Sequence, residues 1–162
     1  MMNHIQGKRN YTIGIISDTH GLLRPKAFSA LQGSDLIIHA GDIGDLQIIN
    51  SLETISTVVA VRGNMDNDIR AFHLKRTELV GVGSHRIYVV HDVCTLDIEP
   101  SSADIRVIIH GHSHRPAIQE YEGLLYINPG SAGPRRFKLP VTVALLHIKG
   151  KNLHAEIVDV QV

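Results

Sequence analysis

Along this chain, short apolar runs break off repeatedly into small and acidic residues. The first is Tyr11 to Ser17 in YTIGIISDTHG, an isoleucine-rich run that halts at an aspartate and a histidine. A run apolar at successive positions fits a strand covered on both faces. DLIIHAGD (35–42) and STVVAVRGNMD (56–66) repeat the pattern. After Pro25, KAFSALQG has the length of a short helix, with Gly33 as its stop. LQIINSLETI (46–55) carries apolar residues at helical spacing. Strands alternating with helices predict a largely parallel sheet with helices against it.

The second half reads as mostly β. ELVGVGSHRIYVVHD (78–92) predicts a hairpin turning at Gly83-Ser84 and ending at His91. EPSSAD (99–104) suits a turn or the start of a short helix, before the strand-like IRVIIHGHSH (105–114). Two further hairpins are predicted, around Glu122-Gly123 and around Gly150-Lys151-Asn152. Two sheets flanked by helices accommodate these elements. No repeat or linker divides the chain, so residues 11–162 read as one domain and residues 1–10 as a frayed, flexible tail.

Composition narrows the class. The 162 residues suffice for a proper core, and 43% are hydrophobic. Acidic and basic residues balance at 16 each, which gives no nucleic-acid signature. Cys94 is the single cysteine, so no intramolecular disulfide forms. MMNHIQGKRN has no apolar signal-peptide core, and no run approaches the roughly 20 apolar residues of a membrane span. A cytoplasmic, soluble protein is expected. Eleven histidines are many for this length, and their positions decide what they mean.

The strand ends collect oxygen and nitrogen donors. They are Asp18 and His20, Asp42, Asn64 and Asp66, His91, and His112 and His114. Ligands of open α/β sheets bind outside the carboxyl ends of the strands. In HGHSH, alternate positions would share one side of a strand, where three imidazoles make sense if some point at a metal. Carboxylates, an amide oxygen and imidazoles suit borderline divalent ions such as Mn, Fe, Zn, Co or Ni. Seven donors overfill one tetrahedral site and suit two adjacent metals, an arrangement known for phosphoester hydrolysis.

Five motifs in this order resemble those of the calcineurin-like metallophosphoesterases. DTH (18–20) is similar to their D-x-H, Gly41-Asp42 to GD, GNMD (63–66) to GN-x-D/E, His91 to a lone strand-end histidine, and GHSH (111–114) to GH-x-H. The small size and NPGS (128–131) resemble the compact bacterial and archaeal phosphodiesterases. These in turn resemble the eukaryotic retromer subunit, vacuolar sorting protein twenty-nine. The resemblance implies an α/β fold, a four-layer αββα sandwich of two mixed sheets flanked by helices. It implies two divalent ions, manganese first, with Ni, Co, Fe or Zn as alternatives. Asp18, His20 and His114 would hold one, Asn64, His91 and His112 the other, and Asp42 would bridge. A hydroxide bridging the ions would attack phosphorus in line. Asp66 would orient a histidine ligand or its neighbouring loop.

Two departures bear on substrate. Met65 stands where larger family members carry a histidine that protonates the leaving group. Asp92 follows His91 where glycine is frequent. A small phosphate ester, most readily a diester, is the expected substrate, with no nucleic-acid or membrane partner and homo-oligomer formation left open. The competing readings are a phosphomonoesterase or nucleotide pyrophosphohydrolase, and a non-catalytic protein-binding platform of the retromer type. His39, His110 and His147 read as core or hydrogen-bonded residues, and His4, His73, His85 and His154 as exposed ones. Arg24, Arg135 and Arg136 read as phosphate contacts or solvated cations. Asn128 and Ser131 read as turn stabilisers, and Cys94 as a small apolar filler.

Overall fold

The computed structural model describes residues 2–101 and 103–161. Two mixed sheets stack face to face. The smaller is built from β2 (Asn10–Ile16), β3 (Leu36–His39), β4 (Val58–Ala60), β10 (Thr142–Lys149) and β11 (Asn152–Asp159), in the order β11-β10-β2-β3-β4. Its β2, β3 and β4 run parallel, and β10 is antiparallel to both β2 and β11. The larger comprises β1 (Asn3–Ile5), β5 (Thr77–Val82), β6 (His85–Val90), β7 (Val107–Ile109), β8 (Ala117–Tyr121) and β9 (Leu124–Asn128), in the order β1-β5-β6-β7-β9-β8.

The continuous apolar runs are explained by burial on both faces. Along β2, Ile13 and Ile15 point into the space between the sheets, while Ile16 packs toward the helices. On β3, Leu36 and Ile38 point inward and Ile37 outward. On β7, Val107 and Ile109 face the other sheet, and Ile108 faces away from it. Helices α1 (Pro25–Ala30) and α2 (Gln47–Glu53) cover the smaller sheet, contributing Ala27, Ile48 and Leu52. The outer face of the larger sheet is covered by Val93, Leu96, Ile98, Ala103 and Ile105, which pack against Tyr88, Val90 and Ile108. This fourth layer is a 3₁₀ turn, Val93–Thr95, and a loop rather than a long helix. In the EPSSAD stretch, Ala103 N–H donates to Pro100 O at 3.2 Å.

All three hairpins turn where expected, between β5 and β6, β8 and β9, and β10 and β11. The N-terminal expectation needs correction. Asn3–Ile5 do not fray but form β1, parallel to β5 with Asn3 opposite Val80. The pairing gives their backbone groups an edge to bond, which a three-residue polar segment does not advertise in sequence. His85 also departs from expectation: it is buried, because its ring bonds Gly150 O at 2.8 Å across the two sheets. Cys94 is exposed in the 3₁₀ turn, not a core filler. Among the described residues, no helix is long and apolar enough to cross a membrane.

Candidate metal centre

The strand ends of both sheets converge at one edge of the sandwich. β2 leads to Asp18 and His20, β3 to Asp42 and β4 to Asn64. From the other sheet, β6 leads to His91 and β7 to His112 and His114. The HGHSH alternation does not come from a strand, since β7 ends at Ile109. The chain turns there instead: Gly111 N–H donates to His91 O at 2.9 Å, and His112 and His114 take left-handed backbone angles. His110 is half-buried and takes no part in the cluster.

Donor atoms of Asp18, His20 and His114 lie within 4.8 Å of one another, and so do those of Asp18, Asp42 and His91. Asp18 Oδ1 is 3.4 Å from His114 Nε2 and 3.8 Å from both His20 Nε2 and His91 Nε2. Asp42 Oδ2 is 3.3 Å from His91 Nε2 and 3.8 Å from His20 Nε2. Each carboxylate therefore reaches both clusters, where sequence reasoning gave the bridging position to Asp42 alone. Asn64 and His112 stand beside the second cluster and are exposed. The His112 ring lies 5.3 Å from the His91 ring, and its Nδ1 meets Asn64 Oδ1 at 3.2 Å.

Neighbouring groups fix these side chains. Asp18 Oδ2 accepts from the Ser17 hydroxyl at 2.7 Å and from His112 N–H at 3.1 Å, which turns Oδ1 inward. Asp42 Oδ1 accepts from Met65 N–H at 2.8 Å, leaving Oδ2 toward the histidines. His91 Nδ1–H donates to Ala40 O at 2.7 Å, so in the neutral ring Nε2 presents a lone pair. Two glycines make room: a Cβ at Gly63 would collide with the Asp42 carboxylate, and one at Gly111 with Ser17 and the Asp18 carboxylate.

Among the described residues, Asp66 forms no hydrogen bond or ion pair with a histidine. Its Oδ1 accepts from Ile43 N–H at 2.9 Å and Gly44 N–H at 3.2 Å, and its Oδ2 from Gly63 N–H at 2.8 Å. It thus binds the loop after β3 to the loop after β4. Asp92 caps the 3₁₀ turn through Cys94 N–H at 3.0 Å and lies 3.8 Å from His112 Nε2. Arg24 is engaged with Gly133 O and Arg135 with Leu139 O. Sequence reasoning missed the positioning roles of Ser17, Asn128 and Ser131. Asn128 donates to Gly111 O at 3.1 Å and Ser113 Oγ at 3.0 Å, and Ser131 donates to Asp18 O at 2.9 Å. The NPGS motif was the available signal, but its reach into two other loops is a tertiary fact.

Electrostatics oppose burial here. Burial alone would raise Asp18, but His114, the His91 charge and the Ser17 hydroxyl outweigh it and hold the carboxyl below its ordinary value. Asp42 is likewise held low against burial by His91 and Met65 N–H. Burial disfavours a charged His91, yet Asp42 and Asp18 raise its pKa. In His20 burial prevails and lowers it.

Asp18 Oδ1, His91 Nε2 and His114 Nδ1 are buried without hydrogen-bond partners. Such orphans cost about 1–3 kcal/mol each. The first two lie within the donor clusters, where a cation would satisfy both. His20 Nε2 and His114 Nε2 approach to 3.3 Å, so at most one carries a proton toward the other. Carboxylate and imidazole donors in this arrangement fit a borderline divalent ion.

Comparison with known proteins agrees with this chemistry. The chain is 37% identical over 158 residues to a probable metallophosphoesterase of Methanothermobacter thermautotrophicus, covering 90% of this chain and 91% of that one. It is 27% identical over 159 residues to a phosphodiesterase of Methanocaldococcus jannaschii, covering 86% and 95% of the two chains. The fold resembles that of Chaetomium thermophilum Vps29, with a TM-score of 0.75 at 24% identity over 91% of this chain and 97% of that one. The profile of the calcineurin-like phosphoesterase superfamily domain matches residues 11–151, and with donors of both sheets meeting at one edge, the chain belongs to that superfamily.

Proposed function

We propose that this protein is a phosphodiesterase dependent on two divalent ions. Asp18, His20 and His114 would hold one ion, Asn64, His91 and His112 the other, with Asp42 between them. The observation that carries this reading is the pair of donor clusters sharing one buried, orphaned carboxylate oxygen, Asp18 Oδ1. The ions would supply a nucleophile ionised near neutral pH and neutralise charge at phosphorus, with manganese the first choice in vitro.

The chain's own part is positioning. Ser17 and His112 N–H hold Asp18, Met65 N–H holds Asp42, and Ala40 O fixes the His91 tautomer. The exposed Met65 side chain offers no proton to a departing oxygen, which favours diesters with acidic leaving groups. The diesterase name of the M. jannaschii relative supports the same choice. A cytoplasmic location is part of this reading. The complete donor set favours catalysis over a binding platform.

The test uses metal-stripped protein and paired aryl phosphate mono- and diesters, with Mn, Ni, Co, Zn or Mg added back. Ion-restored cleavage with preference for the diester is expected. Asp42→Asn and His112→Ala should each remove nearly all of it. Undiminished turnover in either variant sinks the two-ion reading, and a monoester preference reassigns the substrate.

A further inference from the structure

A cavity of about 290 Å³ opens beside the His91 and His112 side of the centre. Its other walls carry Arg62 and Arg76, together with Asp92 and Asp97. The two arginines are differently held. The Arg62 guanidinium lies over the Phe72 ring at 4.8 Å, and its Nε is buried without a partner. Arg76 is exposed immediately before β5. Among the described residues, neither forms an ion pair. Of the carboxylates, Asp92 is engaged by Cys94 N–H and stands next to His112, while Asp97 is exposed. The cavity therefore offers two planar cations without a carboxylate partner, at the side of a centre built for a phosphoryl group.

We propose that this cavity holds one ester arm of the substrate, and that Arg62 and Arg76 select arms bearing a further anionic group, a phosphate or a carboxylate. The inference rests on the phosphoesterase reading above. A guanidinium meets either anion with paired N–H donors. Asp92 and Asp97 restrict the preference to one added anionic group and disfavour a long polyanion.

The test is equilibrium binding by calorimetry to the Mn²⁺-loaded protein, which reads affinity and not turnover. The probes are phenylphosphonate, 4-carboxyphenylphosphonate and 1,4-benzenediphosphonate, whose C–P bonds resist hydrolysis. At least one doubly functional probe should bind about tenfold more tightly than phenylphosphonate. Whichever gains more identifies the group preferred. Arg62→Gln and Arg76→Gln should each erase most of that advantage. Equal affinity for all three probes overturns the proposal, as does an advantage that survives both substitutions. If Arg62→Gln does not fold, the exposed Arg76→Gln decides alone. Cleavage of bis(4-nitrophenyl) phosphate is followed in parallel. A charge preference without cleavage would leave the anion site standing while the hydrolase reading falls.

Discussion

Asp18, His20, Asp42, His112 and His114 share a backbone conformation, with φ from 45° to 71°. For residues other than glycine this region costs about 1–3 kcal/mol each and persists only where surrounding contacts enforce it. Asp and His tolerate it better than branched residues do. Their side-chain types were legible in sequence as donors at strand ends. The backbone geometry that turns them inward was not, because it depends on bonds such as Asp18 N–H to Gly41 O and Ser131 Oγ–H to Asp18 O. His39 shows the same limit. It reads as a core histidine, and the structure adds a fixed neutral tautomer: Nδ1 accepts Gly41 N–H at 3.2 Å and Nε2–H donates to Thr19 Oγ1 at 3.0 Å. Burial pushes its pKa from 6.5 down to about 4. Between those values the unfolded chain holds more protons, so stability falls as pH drops through that window and levels off below it. The loss attributable to His39 is about 3 kcal/mol. Urea unfolding of metal-free protein from pH 7 to 4 should show a shallower slope in His39→Gln, and parallel slopes would count against this account.

Between elements, Asp66 does what no strand does by satisfying three N–H groups in two loops. Asp66→Asn leaves Gly63 N–H facing an amide nitrogen. It should cost about 1–3 kcal/mol in urea unfolding, with the sheets intact by circular dichroism. An unchanged unfolding midpoint would remove Asp66 from this role. Elements with local signals were readable in advance: Gly83-Ser84, Glu122-Gly123 and Gly150-Lys151 each close a hairpin through left-handed residues. β1 was not readable. Asn3–Ile5 carries no strand pattern and is ordered by β5, 77 positions away in register. HGHSH misled for the opposite reason, because its period of two imitates a strand while the chain is turning.

At the scale of the molecule, the two ends of the sandwich are closed differently. Away from the centre, His85 of β6 bonds Gly150 O in the β10–β11 turn, a direct latch between sheets. At the functional end, Asp18, His20, Asp42 and Asn64 follow strands of one sheet, and His91, His112 and His114 follow strands of the other. Ions shared by these donors would join the sheets where the chain itself leaves Asp18 Oδ1 and His91 Nε2 unmet. Free ion at a hundred times its Kd adds about 2.7 kcal/mol of stability. The thermal midpoint should then rise by roughly 5–10 °C, read by calorimetry, and rise far less in Asp42→Asn. Equal shifts in both proteins would locate the effect elsewhere. The His85 latch gives this asymmetry a cellular consequence. With one end fastened by protein alone and the other by protein bonds, such as His91 Nδ1–H to Ala40 O and His112 N–H to Asp18 Oδ2, that cations would reinforce, ion starvation would loosen the chain at the functional end first. Proteases would find it there, so the amount of this protein, and not only its activity, would follow the metal supply.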